Sequence, residues 1–298
     1  MKKRIFSLIM VFCMALSFCS VTAFAADGET TSPFPEAKDG VITLTGNVEL
    51  TSPYEITMDT TIDLAGYTIT GNNVRALIVK SGTLTLTGTG TVTTVAAETN
   101  PINRTSSVIF VGDDVNEGVG AAKLVIDSDV TIAAPATCGV TVFGKNSELT
   151  LDVRGTVEAT GTMQAISGNG SAGYSSTTIN IYEGAKVTSK KIAMYLPQSG
   201  TVNIYGGTIE GYAGIGIKSG TLNITGGTIK GTENDTELYD SHSTTGGITY
   251  DGSAIVIDSY TGYAGQMNIT ISGEASIQST YSTAIREIGK DSGVTNVV

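Results

Sequence analysis

Short segments in which apolar and polar residues alternate recur along most of the chain. They include TIDLA from Thr61, TLTLT from Thr83, TVNIY from Thr201 and TLNIT from Thr221. An alternation with a period of two, rich in β-branched residues, is typical of strands that bury one face. Beyond the first 25 residues, no stretch shows a convincing helical period. The pattern predicts an all-β chain.

The strands belong to a repeating unit. Thr201–Gly211 aligns without a gap on Thr221–Gly231, and eight of the eleven positions are identical. Further strands of the same type begin at Lys123, Glu148, Thr178 and Met267. Most successive starts lie 20 to 30 residues apart, and two longer intervals of 40 and 46 residues contain insertions. A period of this size predicts a solenoid.

A single unit of this size cannot enclose its own apolar side chains, whereas stacked units share one interior column. We therefore predict a parallel β-helix of about eight coils, about 4.8 Å apart. Glycines at tight corners are expected to supply positive φ, and the candidates are Gly206, Gly207 and Gly211. The side chains expected to point inward are Val202, Ile204, Ile209, Ile215, Ile217, Leu222, Ile224 and Ile229.

Two stretches resemble a known family. TTIDLAGYTITG (Thr60–Gly71) resembles the first complete coil of the pectate-lyase-like superfamily, and SGTLNITGGTIKG (Ser219–Gly231) resembles the repeats of its secreted bacterial members. The resemblance covers about Val41 to Val298 and implies a right-handed coil, which agrees with the handedness of parallel crossovers. It does not imply one activity, because the superfamily includes lyases, hydrolases, adhesins and phage-type binding proteins.

The N-terminus has the pattern of a secretory signal. Lys2, Lys3 and Arg4 precede an apolar run that ends in the small-residue site Ala23–Ala25. We predict that residues 1–25 are a signal peptide, that 26–40 form a mobile lead-in and that 41–298 form the β-helix, which continues beyond Val298. The expected location is outside the cell or on its surface.

Charge narrows the range of partners. Without residues 1–25 the chain keeps fourteen basic and 28 acidic residues, a net charge of −14. Such a surface repels nucleic-acid phosphates and anionic lipids. We therefore expect no nucleic-acid partner and no membrane insertion of the mature chain, and a polysaccharide or host glycan is the partner we consider. Only Cys138 remains after cleavage, so no disulfide is expected.

Stacking should align equivalent outward positions into ladders. The first predicted ladder contains Thr85, Val125, Thr150, Asn180, Asn203 and Asn223. Stacked amides and hydroxyls stabilise a β-helix by hydrogen bonding along its axis. The same face could also bind a repeating ligand such as a polysaccharide, and Asn203 is a candidate contact.

The neighbouring predicted ladder contains Thr87, Asp127, Asp152, Tyr182, Tyr205 and Thr225. Adjacent Asp127 and Asp152 could act as a carboxylate pair or hold Ca²⁺, with Arg154 close enough to neutralise them. No other cofactor is expected. Solvated carboxylates without such a role are the alternative.

Aromatic residues supply the remaining binding candidates. Tyr182 and Tyr205 on successive coils could form a surface for a sugar ring or a purely structural ladder. The insertion from Thr232 to Gly252 contains Tyr239, Tyr250 and the only histidine, His242. Loops on a rigid scaffold often carry binding residues.

Catalytic signatures of the resembled superfamily are not recognisable. After residue 25 the chain has only four arginines, no two of them close in sequence, and no Gly-His-Gly motif. We therefore expect a non-catalytic, glycan-contacting scaffold or adhesin-like protein. The alternative is a polysaccharide lyase or glycoside hydrolase.

Overall fold

A computed structural model gives the fold of residues 32–95, 107–112, 120–144, 147–168, 175–232, 252–259, 267–289 and 295–298. Residues 33–298 belong to one compact unit. Within the described ranges every regular element is a β-strand, and none of them contains a helix that could cross a membrane. The predicted signal peptide and most of the 232–252 insertion lie outside these ranges.

The described strands number 28, three to a coil over nine coils, with one further strand at the end. The first three coils contain Val41–Thr43 (β1), Val48–Leu50 (β2), Tyr54–Ile56 (β3), Thr60–Asp63 (β4), Thr68–Asn72 (β5), Leu77–Val79 (β6), Gly82–Thr87 (β7), Gly90–Val95 (β8) and Ser107–Gly112 (β9). The next three contain Ala122–Ile126 (β10), Val130–Ala134 (β11), Cys138–Phe143 (β12), Ser147–Val153 (β13), Thr156–Ala159 (β14), Ile166–Ser167 (β15), Ser175–Ile181 (β16), Lys186–Ser189 (β17) and Ile192–Leu196 (β18). The last contain Gly200–Ile204 (β19), Thr208–Gly211 (β20), Ala213–Ile217 (β21), Thr221–Ile224 (β22), Thr228–Gly231 (β23), Ile255–Ser259 (β24), Met267–Ile271 (β25), Ser276–Ser279 (β26), Ile285–Gly289 (β27) and Thr295–Val297 (β28).

Every third strand joins the same parallel sheet. Sheet A runs from β1 to β28 with ten strands, sheet B from β2 to β26 with nine, and sheet C from β3 to β27 with nine. The fold is the predicted right-handed parallel β-helix, with nine coils where about eight were expected. The repeat aligns as the sequence indicates, since Val202 pairs with Leu222 and Ile204 with Ile224.

One continuous core fills the interior. All eight side chains that we predicted to point inward are buried, and they join aliphatic residues from every coil. At the N-terminal end, Phe34 is also buried, and its ring centroid lies 4.5 Å from that of Tyr54 in an edge-to-face contact. The segment before β1 therefore covers the start of the core.

The corner glycines serve two different purposes. Gly207 has φ +80°, as predicted, but Gly206 and Gly211 do not have positive φ, so that expectation was wrong for them. A Cβ on Gly206 would lie 2.8 Å from the Glu183 Cα, and one on Gly211 would lie 2.6 Å from the Lys191 carbonyl oxygen. These two positions need glycine because the backbone of the neighbouring coil is too close.

Replacing glycine with alanine at two equivalent corners should separate these effects. Gly184 (φ +82°) has open space at the Cβ position, whereas a Cβ on Gly207 would lie 2.6 Å from the Ala185 carbonyl oxygen. We expect Gly184→Ala to reduce the free energy of unfolding by about 1–2 kcal/mol through φ alone. Gly207→Ala should cost about 1–3 kcal/mol more, because backbone must move. Equal losses in urea unfolding would contradict the close-approach argument.

Candidate functional site

The outer face of sheet A carries three parallel ladders of polar and aromatic side chains. On β16 and the residue after it, Thr178, Asn180 and Tyr182 alternate with buried residues, and the next coil repeats the same three types at 201, 203 and 205. The third coil continues with threonine, asparagine and threonine at 221, 223 and 225. Outward residues along one strand are about 6.6 Å apart, and equivalent residues on successive coils about 4.8 Å apart. The result is a regular grid.

The middle ladder is a hydrogen-bonded chain, which we call the asparagine ladder (Asp152, Asn180, Asn203 and Asn223). Asn223 Nδ2 donates to Asn203 Oδ1 at 3.0 Å, and Asn203 Nδ2 donates to Asn180 Oδ1 at 2.9 Å. Asn180 Nδ2 then donates to Asp152 Oδ1 at 2.8 Å. Every amide donates in the same direction, so the chain ends on a carboxylate.

Asp152 is held from two sides. Its side chain is only 6 % exposed, and the Lys123 ammonium lies 2.7 Å from its Oδ2. A carboxylate with little access to water requires such partners, because its lost hydration must be replaced. Lys123 is the ion-pair partner of Asp152, a role that the sequence suggested for Arg154.

The predicted position of Asp152 was wrong by two residues. Asp152 pairs with Val125 and Asn180, so it belongs to the asparagine ladder in place of Thr150. Asp127 and Asp152 are therefore not equivalent positions on adjacent coils, and the expected carboxylate pair does not form there. A shift of two residues keeps every side chain on its face. The observed register also buries Val153 and places Gly155 where a Cβ would lie 2.3 Å from the Asp127 carbonyl oxygen.

The third ladder lies at the corner after sheet A, and we call it the tyrosine edge (Asp127, Arg154, Tyr182, Tyr205 and Thr225). The Tyr182 and Tyr205 ring centroids are 5.4 Å apart with an interplanar angle of 30°, so the predicted neighbouring tyrosines are confirmed. The Arg154 guanidinium carbon lies 4.2 Å from the Tyr182 ring centroid. Tyr205 is 51 % exposed. The edge therefore presents an aromatic surface that a cation holds in place from one side.

Asp127 precedes Arg154 along this edge, one coil earlier, whereas Tyr182 follows Arg154 one coil later. Its Oδ2 accepts a long hydrogen bond of 3.5 Å from the Thr87 hydroxyl. No group of three or more His, Cys, Asp or Glu side chains arranged for a metal ion occurs among the residues given above as described. The catalytic and metal roles of Asp127 and Asp152 remain predictions.

Tyr239, His242 and Tyr250 lie outside the described residues.

Sequence reasoning missed an ion pair on the outer side of sheet C. Lys218 directly follows β21, Asp258 lies on β24, and the preceding residues Ile217 and Ile257 pair with each other. Lys218 Nζ lies 3.2 Å from Asp258 Oδ2, and the two side chains are 0 % and 6 % exposed. The signal was present, because GIGIK and AIVID each end an apolar strand with a charge at the same place.

No protein-family model, no curated protein and no solved structure matches the chain.

The asparagine ladder can be tested by shortening it at two points. Asn203→Ala removes two inter-coil hydrogen bonds, and Asn223→Ala removes one. At about 0.5–1.5 kcal/mol for each bond, Asn203→Ala should lower the free energy of unfolding by about 1–3 kcal/mol and Asn223→Ala by about half as much. Urea unfolding of both variants measures the difference. A smaller loss for Asn203→Ala would show that the bonds do not stabilise the fold.

The buried thiol of Cys138 should make stability fall at alkaline pH. Burial raises the pKa of Cys138 from its ordinary 9.0 to about 11. Between these values the thiol is protonated in the folded chain and ionised in the unfolded chain, so stability is full below pH 9 and declines toward pH 11. The decline attributable to Cys138 should approach about 1.4 kcal/mol per pH unit. The free energy of unfolding, measured against pH for the wild type and for Cys138→Ala, gives the contribution of the thiol as the difference between the two curves. Parallel curves would contradict a raised pKa for Cys138.

Proposed function

We propose that this protein is a secreted or cell-surface β-helix that binds glycan through the tyrosine edge and the asparagine ladder. The observation that carries the proposal is the tyrosine pair, with ring centroids 5.4 Å apart and Tyr205 half exposed. The resemblance to secreted members of the pectate-lyase-like superfamily and the signal-like N-terminus support this location.

The two ladders offer the two kinds of contact that sugars need. An aromatic ring packs against the apolar C–H face of a pyranose, while amides and hydroxyls bind its equatorial hydroxyl groups. Each ladder asparagine donates one N–H to the preceding coil, and its second N–H is not part of that chain. Equivalent side chains recur about every 4.8 Å along the ladder, so a ligand built of repeating units could make the same contact at successive coils.

Charge on this face favours a neutral glycan. Lys123 is paired with Asp152, and Arg154 stands between Asp127 and Tyr182 along the edge. These four residues hold two charges of each sign, and the outward Glu148 and Asp63 on the same sheet add two carboxylates, on a chain with an overall net charge of −11. A strongly anionic polymer would meet repulsion from the rest of the molecule without a compensating basic patch here.

Glycan binding should depend on the Tyr205 ring. The purified protein would be titrated by calorimetry with neutral plant, bacterial and mucin polysaccharides. For a polysaccharide that binds, Tyr205→Ala should weaken the affinity about tenfold, or ~1.4 kcal/mol, because an exposed tyrosine is a typical energetic hot spot. Tyr205→Phe should retain most of the affinity.

A matched control is available on another part of the surface. Tyr281 is 62 % exposed and lies between β26 and β27, away from sheet A, so Tyr281→Ala should bind like the wild type. Absence of binding to every polysaccharide, or equal losses in the two alanine variants, would contradict the proposal. New oligosaccharides in the same mixtures, lost in Asp127→Ala or Asp152→Ala, would instead indicate a lyase or hydrolase.

A further inference from the structure

The buried pair Lys218 and Asp258 has the arrangement of an amine and a carboxyl group that can react with each other. We propose that the two side chains condense into an amide that covalently links two successive coils of sheet C. This modification is independent of the proposed glycan binding, since it involves a different face of the molecule.

Backbone register holds the reacting groups together. Ile217 and Ile257 are hydrogen-bonded neighbours in sheet C, so the next residues, Lys218 and Asp258, project from adjacent coils at the same level. Lys218 Nζ lies 3.2 Å from Asp258 Oδ2, which is bonded to the carboxyl carbon that the amine would attack. Reactants held at about 3–3.5 Å gain a large effective concentration, because the entropy of bringing them together is lost during folding.

Burial favours the uncharged forms that the reaction requires. The Lys218 side chain is fully buried and that of Asp258 is 6 % exposed. Tyr195 adds an aromatic ring, whose centroid lies 5.8 Å from the Lys218 nitrogen. Burial lowers the pKa of Lys218, and the Asp258 carboxylate only partly opposes this. Transfer of a proton from the ammonium to the carboxylate removes both charges from a poorly hydrated environment.

The condensation is balanced without any other reactant. The neutral Lys218 amine attacks the Asp258 carboxyl carbon, a C–N bond forms, and the C–O bond to the protonated oxygen breaks. The nitrogen loses its remaining extra proton to the leaving hydroxyl, which departs as water. One ammonium and one carboxylate thus become one amide and one water, and no electron is transferred to an oxidant.

Other ion pairs among the described residues show what distinguishes this one. Lys123 Nζ lies closer to its carboxylate, at 2.7 Å, but its side chain is 41 % exposed. Lys80 lies 2.7 Å from Glu55, with both side chains more than a third exposed. A hydrated lysine stays protonated and is not a nucleophile. These pairs should remain ionic, so they serve as controls within the same molecule.

The test is mass spectrometry of the purified, folded wild-type protein. The intact mass should be lower than the sequence requires by one water. After denaturation, trypsin should fail to cleave after Lys218, because an acylated lysine is not a substrate, and should still cleave after Lys191 and Lys230. Fragmentation should identify a branched peptide that contains both Lys218 and Asp258. Lys80 and Lys123 should be cleaved normally.

Two variants separate the bond from the ion pair. Lys218→Arg keeps the positive charge but cannot form this amide, and Asp258→Ala removes the carboxyl group. Both should have the full mass expected from their sequences and a lower thermal midpoint than the wild type. Full mass and complete cleavage after Lys218 in the wild type overturn the proposal, and so does a water loss that persists in Lys218→Arg. The mass and the tryptic cleavage of the wild-type protein test the proposal even if a variant fails to fold.

Discussion

The structure depends on a single constraint, which is that no coil can remove its apolar side chains from water without another coil above or below it. Each coil contributes a thin layer of inward residues, and the parallel pairing of sheets A, B and C places the layers in one column. Hydrophobic burial and backbone hydrogen bonding are therefore satisfied by the same contact between neighbours. Register is what makes both possible, and it also decides which outward side chains become neighbours.

The fold could be predicted because its determinants are local and repeated. Alternation identified the strands, and the repeat from Thr201 to Gly231 gave their order, so the inward positions followed. The outer ladders were harder to predict, because apolar alternation does not distinguish a register from one shifted by two residues. β13 is the example: Leu149 and Leu151 fit inward in both cases, and the position of Asp152 was decided by Val153 and by the tight corner at Gly155. The Lys218–Asp258 pair was missed because a charged residue at the end of a strand is common. Only the register of β21 against β24 shows that these two lie next to each other.

The two chemically distinctive places lie in opposite environments. The tyrosine edge is open to solvent at Tyr205, which is 51 % exposed, and this suits reversible contact with a hydrated ligand. Lys218 and Asp258 are enclosed, and hydrated ions are disfavoured there, which suits a change that happens once. A repetitive scaffold can carry both because each coil presents three faces whose side chains vary without affecting the core.

The common donor direction in the asparagine ladder gives this face of the rod an axial polarity. Three amide dipoles are aligned with their donor ends toward the Asp152 carboxylate, much as the peptide dipoles of a helix are aligned with an anion at the N-terminus. The two ends of the ladder therefore differ, with a carboxylate at the Asp152 end and an amide at the Asn223 end. A polysaccharide chain also has a direction, from its non-reducing to its reducing end. For the glycan proposed above, the two antiparallel ways of laying the chain along the ladder would therefore differ in energy, and the side chains would favour one orientation.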